Sequence, residues 1–285
     1  MKLIETQKFF KKFELLDFPQ PEILQLNYPM FMCHGYGGIA GLVRPTPIHK
    51  PCMALRSHGI HAFAPNIVPY ASIETRAQQW VDKIEQLQEQ YGYEKFNVIG
   101  HSMGGLDMRY AISKLNIHPS VASLTTIATP HRGTSLAELV LTAPGVLREK
   151  LGEMFDWFGE SIFPQSKSNA VEAVEQLTRM YVTKEFNPNV PDHEDVKYFS
   201  FSAAVGKGTN HPLNTIYRYQ NAHIFKQEGL NDSFVSIKSA KWGKHIQTAP
   251  LSHLEQLDIQ VSKDRRKFVE HFWLDLVHNL QKNDL

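Results

Sequence analysis

The chain has little sulfur, little net charge and no long apolar run, and each shortage removes a class of protein. Two cysteines, Cys33 and Cys52, stand in 285 residues. They allow one bridge at most, and Cys33 ends an apolar run where a free cysteine packs as a small hydrophobe. With no export signal in view, two reduced thiols are expected. A net charge of +1 gives no reason to expect a nucleic-acid partner. No stretch approaches the ~18 consecutive apolar residues that a transmembrane helix needs. The basic start, MKLIETQKFFKKFELL, lacks both an uninterrupted apolar core and a small-residue cleavage site. It does not read as a secretory signal, so the expected location is cytoplasmic, with export without a cleaved signal left open.

What is present is ordinary for a globular chain: 42% hydrophobic and 21% charged residues, long enough for a large core. The order of elements says more. YPMFMC reads as a short strand, Pro29 to Cys33, running into the glycine-rich HGYGG. HAFAPN, at residues 61–66, is a second strand. Ser72 can cap a helix in which Trp80, Val81, Ile84, Leu87 and Tyr91 recur at helical spacing until Gly92 stops it. KFNVIG is a strand ending at Gly100, MGGLDMRYAISKL a helix, and VASLTTIA a strand from Val121 to Ala128. Strand–helix alternation predicts an α/β fold, a mostly parallel sheet with helices on both faces.

The rhythm changes over residues 136–186, which read as helices broken by Gly and Pro. Leu147, Leu151, Met154, Phe155 and Phe158 share one face there. That stripe suits a core contact, or a mobile lid over a site beside the preceding helix. A strand follows over Val196–Val205, then a polar, irregular stretch to Asn231. The chain closes with a helix placing Phe268, Phe272, Leu276 and Leu280 on one face. The simplest account is one domain, residues 1–285, with a helical cap inserted at 136–186. The Lys and Phe/Leu pattern of KFFKKFELL suits an anionic membrane surface, and equally a helix packed on the body.

The chemistry is carried by Gly100-x-Ser102-x-Gly104, a nucleophile-elbow pattern placed between a predicted strand and helix. A serine hydroxyl attacks at neutral pH only if a base takes its proton, and the base needs an orienting carboxylate. In the chain order serine, acid, histidine, the candidates are Ser102 as nucleophile, Asp232 as acid and His253 as base. The 21 residues between the last two leave room for one helix and one strand. Asp232 could instead shape a turn and His253 sit on the surface. His245, His271 and His278 compete as bases, and Asp192, Glu194 and Asp195 as acids. For the developing oxyanion, the backbone N–H groups of Tyr36, in the HGYGG turn, and Met103, at the helix start, are the expected donors.

MCHGYGG, GHSMGGLDMRYAIS, TIATPHRGTSLAE, LTRMYVTKEFNPNVP, YFSFSA, NDSFVSIKSAKWG and LSHLEQLD resemble, in this order, bacterial triacylglycerol lipases of the Pseudomonas–Burkholderia–Proteus type. SIETRA and SAKWG also look like related fungal lipases. The resemblance implies an α/β-hydrolase fold, the same Ser102, Asp232 and His253, the same oxyanion donors, and a lid within 136–186. It implies a serine carboxylic-ester hydrolase acting on lipid acyl esters. A short-chain esterase, thioesterase or acyltransferase with the same triad is the alternative, and a non-catalytic acyl-ligand or partner-binding member a third. The single Tyr36 after His34-Gly35 resembles the pattern of enzymes for medium and long acyl chains. There are departures. The bacterial lipases carry a structural calcium held by one aspartate before a proline and another two residues past the histidine; here His211 and Glu255 stand at those places. Calcium prefers oxygen ligands, so no cofactor is expected. Ser233 stands after Asp232 where glycine is common.

Overall fold

A computed structural model describes residues 21–36, 46–144 and 167–285. Six strands form one parallel sheet: β1 (Met30–Cys33), β2 (Ala62–Phe63), β3 (Phe96–His101), β4 (Val121–Ile127), β5 (Lys197–Ala203) and β6 (Lys244–Ala249). Their spatial order is β2-β1-β3-β4-β5-β6. Among the described residues the longer helices are α1 (His49–Ser57), α2 (Ile73–Tyr91), α3 (Met103–Lys114), α4 (Ser135–Thr142), α5 (Lys167–Glu175), α6 (Arg218–Glu228) and α8 (Arg266–Gln281), with one turn, α7 (Ile237–Ala240).

Alternation along the strands divides the core in two. Met30 and Met32 of β1 face α1 and α8, packing with Leu55, Phe272, Trp273 and Leu276. Phe31 and Cys33 face the other way, toward Trp80, Ile84, Met108 and Ile112 of α2 and α3. A sheet covered on both faces favours apolar residues at successive positions, which is why β1 reads as an unbroken apolar run. Cys52 belongs to the first cluster and Cys33 to the second. The sheet lies between the two thiols, and both are free.

Helix ends follow their sequence signals. The Ser72 hydroxyl accepts from the Thr75 N–H, and Gly92 closes α2 at φ 73°. Two expectations fail. The stretch expected to be irregular holds α6, whose inner face is Gln220, Asn221 and Ile224. A helix anchored by amides carries no apolar stripe for a periodicity search to find. In α8 the buried face is Val269, Phe272, Trp273, Leu276, Val277 and Leu280, while Phe268 is 47% exposed. Phe272, Leu276 and Leu280 lie on the expected face, which extends to Val269, Trp273 and Val277 and leaves Phe268 out. The Trp273 indole N–H finds the Gln256 carbonyl at 2.8 Å. The stripe from Leu147 to Phe158 lies outside the described residues.

Candidate active site

Ser102 sits between β3 and α3 with φ 54° and ψ −129°, a backbone conformation costly for a residue with a Cβ. Its N–H donates to the Ile127 carbonyl at 2.9 Å, tying the turn to β4. Crowding explains the glycine two residues on: a Cβ at Gly104 would lie 2.7 Å from the His34 carbonyl oxygen. Gly35 closes the opposite side, where a Cβ would come within 3.1 Å of Ser102 Oγ. The strain and the close approach push the hydroxyl out of the sheet edge into a cleft.

His253 lines the same cleft. Its Nδ1 lies 2.7 Å from Asp232 Oδ2, with both side chains buried. A carboxylate only accepts, so Nδ1 carries a proton, and in the neutral ring Nε2 is the nitrogen left with a lone pair. The backbones are joined as well, by the His253 N–H to the Asp232 carbonyl at 3.0 Å. Asp232 Oδ1 accepts from the N–H groups of Phe234 at 3.0 Å and Val235 at 2.8 Å. The buried carboxylate is thus satisfied on both oxygens, the condition for holding a charge out of water. α7 and β6 fill the 21 residues between acid and histidine.

Sequence reasoning missed two residues that complete this arrangement. Gln256, fully buried, donates from Nε2 to Asp232 Oδ2 at 2.9 Å. Its Oε1 lies 3.2 Å from His101 Nε2, which must then be the protonated nitrogen. Burial, and next the neighbouring His253, pull His101 well below the ordinary histidine range. It stays neutral beside the His253 ring, 4.6 Å away, while Phe234 stacks on His253 at 4.8 Å. His101 adjoins the serine and Gln256 lies three residues past the histidine, so position alone could have flagged both.

The competitors lie elsewhere. His245 contacts Ser200 and Ser202, and Asp192 accepts from the Trp242 indole at 2.9 Å. His118, His193 and Asp195 approach one another closely enough to hold an ion. The two imidazoles are stacked, however, 3.7 Å apart and 14° from parallel, so their in-plane lone pairs run side by side and not toward one point.

Of the oxyanion candidates, Met103 is the first residue of α3, and the first four N–H groups of a helix have no acceptor within it. Tyr36 lines the cleft beside Gly35 and packs edge-on against Tyr70. The turn that carries it is fixed from below by Arg76, a charged residue in phase with the apolar stripe of α2. Its guanidinium donates to the His34 carbonyl at 2.8 Å and to Asp107 Oδ2 at 2.9 Å. His34 is pulled down to about 3, mainly by burial and then by Arg76; it is a neutral part of the scaffold. Leu136, Ala137, Val174 and Leu177 form one apolar wall of the cleft, and Val235, Leu254 and Leu257 another.

Residues 66–142 match the model of a family described as an alpha/beta hydrolase of unknown function. Triacylglycerol lipase 2 of Saccharomyces cerevisiae is 34% identical over 218 residues, 72% of this chain and 59% of that protein. The chain thus spans about three fifths of the yeast relative. A triacylglycerol lipase of Pseudomonas fragi is 28% identical over 86% of this chain and 94% of its own. In fold, the chain is similar to the mature form of a Bacillus licheniformis lipase, with TM-score 0.62 and 19% identity over 84% of this chain and 91% of that one. It is also similar to a metagenomic carboxyl esterase, with TM-score 0.68 and 17% identity over 94% and 80%.

Proposed function

Because the chain belongs to the α/β-hydrolases and stands among relatives named triacylglycerol lipase, we propose that it hydrolyses lipid acyl esters through an acyl-enzyme on Ser102. The observation that carries this reading is the buried Asp232–His253 pair, 2.7 Å apart, opening onto the same apolar cleft as a serine held on a strained turn.

His253 Nε2 takes the Ser102 proton as Oγ attacks the acyl carbonyl carbon. The carbonyl π electrons move to oxygen, where the N–H groups of Met103 and Tyr36 are the proposed donors; one such donor is worth about 3 kcal/mol. Asp232 stabilises the imidazolium and holds its tautomer. His253 then returns the proton to the leaving alcohol oxygen as the C–O bond breaks. Water, deprotonated by the same nitrogen, attacks the acyl-enzyme and releases the fatty acid, and Ser102 regains its proton. The apolar walls suit an acyl chain, and the 136–186 segment is proposed as the cap over them.

Activity is to be read on p-nitrophenyl esters of graded chain length and on emulsified triacylglycerol. Ser102→Ala is expected to lower kcat about 10³-fold or more with an unchanged melting temperature. A purified variant that keeps wild-type turnover would overturn the assignment.

A further inference from the structure

The loop that presents His253 is held by a cation that the chain supplies itself. The resemblance implied calcium bound by an acid two residues past the histidine, and the residues here do not fit that ion. Glu255 stands at that place with both oxygens engaged: Oε1 accepts from Arg265 Nε, and Oε2 accepts from Arg265 Nη2 at 3.1 Å and from the Ser252 N–H at 2.7 Å. The other place is taken by His211, which is exposed and offers a nitrogen where calcium prefers oxygen. Arg265 Nη2 also donates to the Pro250 carbonyl. One guanidinium therefore grips the chain on both sides of His253, at residues 250 and 255. Arg265 is itself fixed, 8% exposed, at the start of α8.

We propose that Arg265 is a positioning residue for His253, its guanidinium holding the 250–258 loop in the place of a calcium ion and making the site independent of that metal. The function it serves rests on the hydrolase reading above; the bracing of the loop does not. A planar fork suits this task, because it meets a carboxylate with two parallel N–H bonds and keeps a further donor for a carbonyl. Loss of the fork frees the ends of the loop and lets the imidazole drift from Ser102, while the cleft that binds substrate stays as it is.

The test compares wild type, Arg265→Ala, Arg265→Lys and Glu255→Gln for ester kinetics and for amide hydrogen exchange across 250–258, with added calcium or chelator. Wild type is expected to ignore both additions. Arg265→Ala should lose kcat roughly 10- to 100-fold, the usual cost of a misplaced catalytic group, with KM unchanged and exchange across the loop raised. Arg265→Lys should fall between, and free guanidinium, not urea, should restore part of the Ala variant's kcat. If Arg265→Ala does not fold, Arg265→Lys and Glu255→Gln carry the same expectation of lower kcat and faster exchange. Wild-type exchange that rises on chelation, or variants whose exchange and kcat match wild type, would overturn the proposal. Exchange needs no substrate, so it decides the brace even if no ester is turned over, a result that would count against the hydrolase reading alone.

Discussion

Ser233 holds a conformation that its own side chain opposes. Its φ is 89°, in the region that favours glycine, and its hydroxyl is buried without a hydrogen-bond partner. The strain is sustained by neighbours: the Ser233 N–H donates to Asn231 Oδ1 at 2.9 Å and its carbonyl accepts from Gln220 at 2.8 Å. Asn221 in turn donates to Asn231 Oδ1 at 2.8 Å. The departure noted in the sequence is therefore absorbed by amides of α6, the helix that periodicity does not reveal. Ser233→Gly should relieve the strain and the orphaned hydroxyl, less the added freedom of the unfolded chain, for a net gain of about 1 kcal/mol. Chemical denaturation would measure it; a loss of stability would mean that the hydroxyl has a partner after all.

Among elements, the cleft is a meeting of pieces distant in sequence. Leu136 and Ala137 come from α4, Val174 from α5, and Leu177 from the turn that follows. The Arg179–Glu138 ion pair, with Arg179 Nε to Glu138 Oε1 at 2.9 Å, ties that turn back to α4. Leu177→Trp should fill the acyl side of the cleft. We expect p-nitrophenyl esters of long chains to lose at least tenfold in kcat/KM relative to short ones, since each excluded methylene is worth about 1–3 kcal/mol. An unaltered chain-length profile would place the acyl chain along another wall. The strands, α2, α3 and the elbow were legible because burial, period and caps speak locally. α6 and the exposure of Phe268 on α8 were not, because polar anchoring and the edge of a buried face are settled by tertiary contacts. That Asp232 would meet His253 beside Ser102 was legible from chain order and spacing. Arg76 was not, since nothing local distinguishes a buried, fully bonded polar residue from a solvated one, and Gln256 was marked only by its place three residues past the histidine.

For the whole molecule, buried neutral histidines set the response to acid. His34, His101 and His131 are all held below the ordinary histidine range, chiefly by burial. The unfolded chain binds protons there as pH drops through 6.5 while the native state does not, so stability falls with pH. Each contributes a loss on the order of 1 kcal/mol between pH 7.5 and 5.5. Asp107 works the other way: burial raises it to about 6 against the pull of Arg76, and it returns about 1 kcal/mol over the same range. The net expectation is a loss of roughly 2–3 kcal/mol, measurable by urea unfolding at the two pH values. Constant stability would mean that at least two of these imidazoles reach water.

The two hydrogen bonds between Asp232 and His253, one through the backbone and one through the side chains, also bear on how this chain can exchange parts with its relatives. Acid loop and histidine loop are joined into one hydrogen-bonded unit whose halves fit each other. A chimera whose crossover falls between residues 233 and 252 would join loops from two parents and break that fit. A crossover before Val205 would instead carry α6, both loops and the arginine brace together as a working cassette.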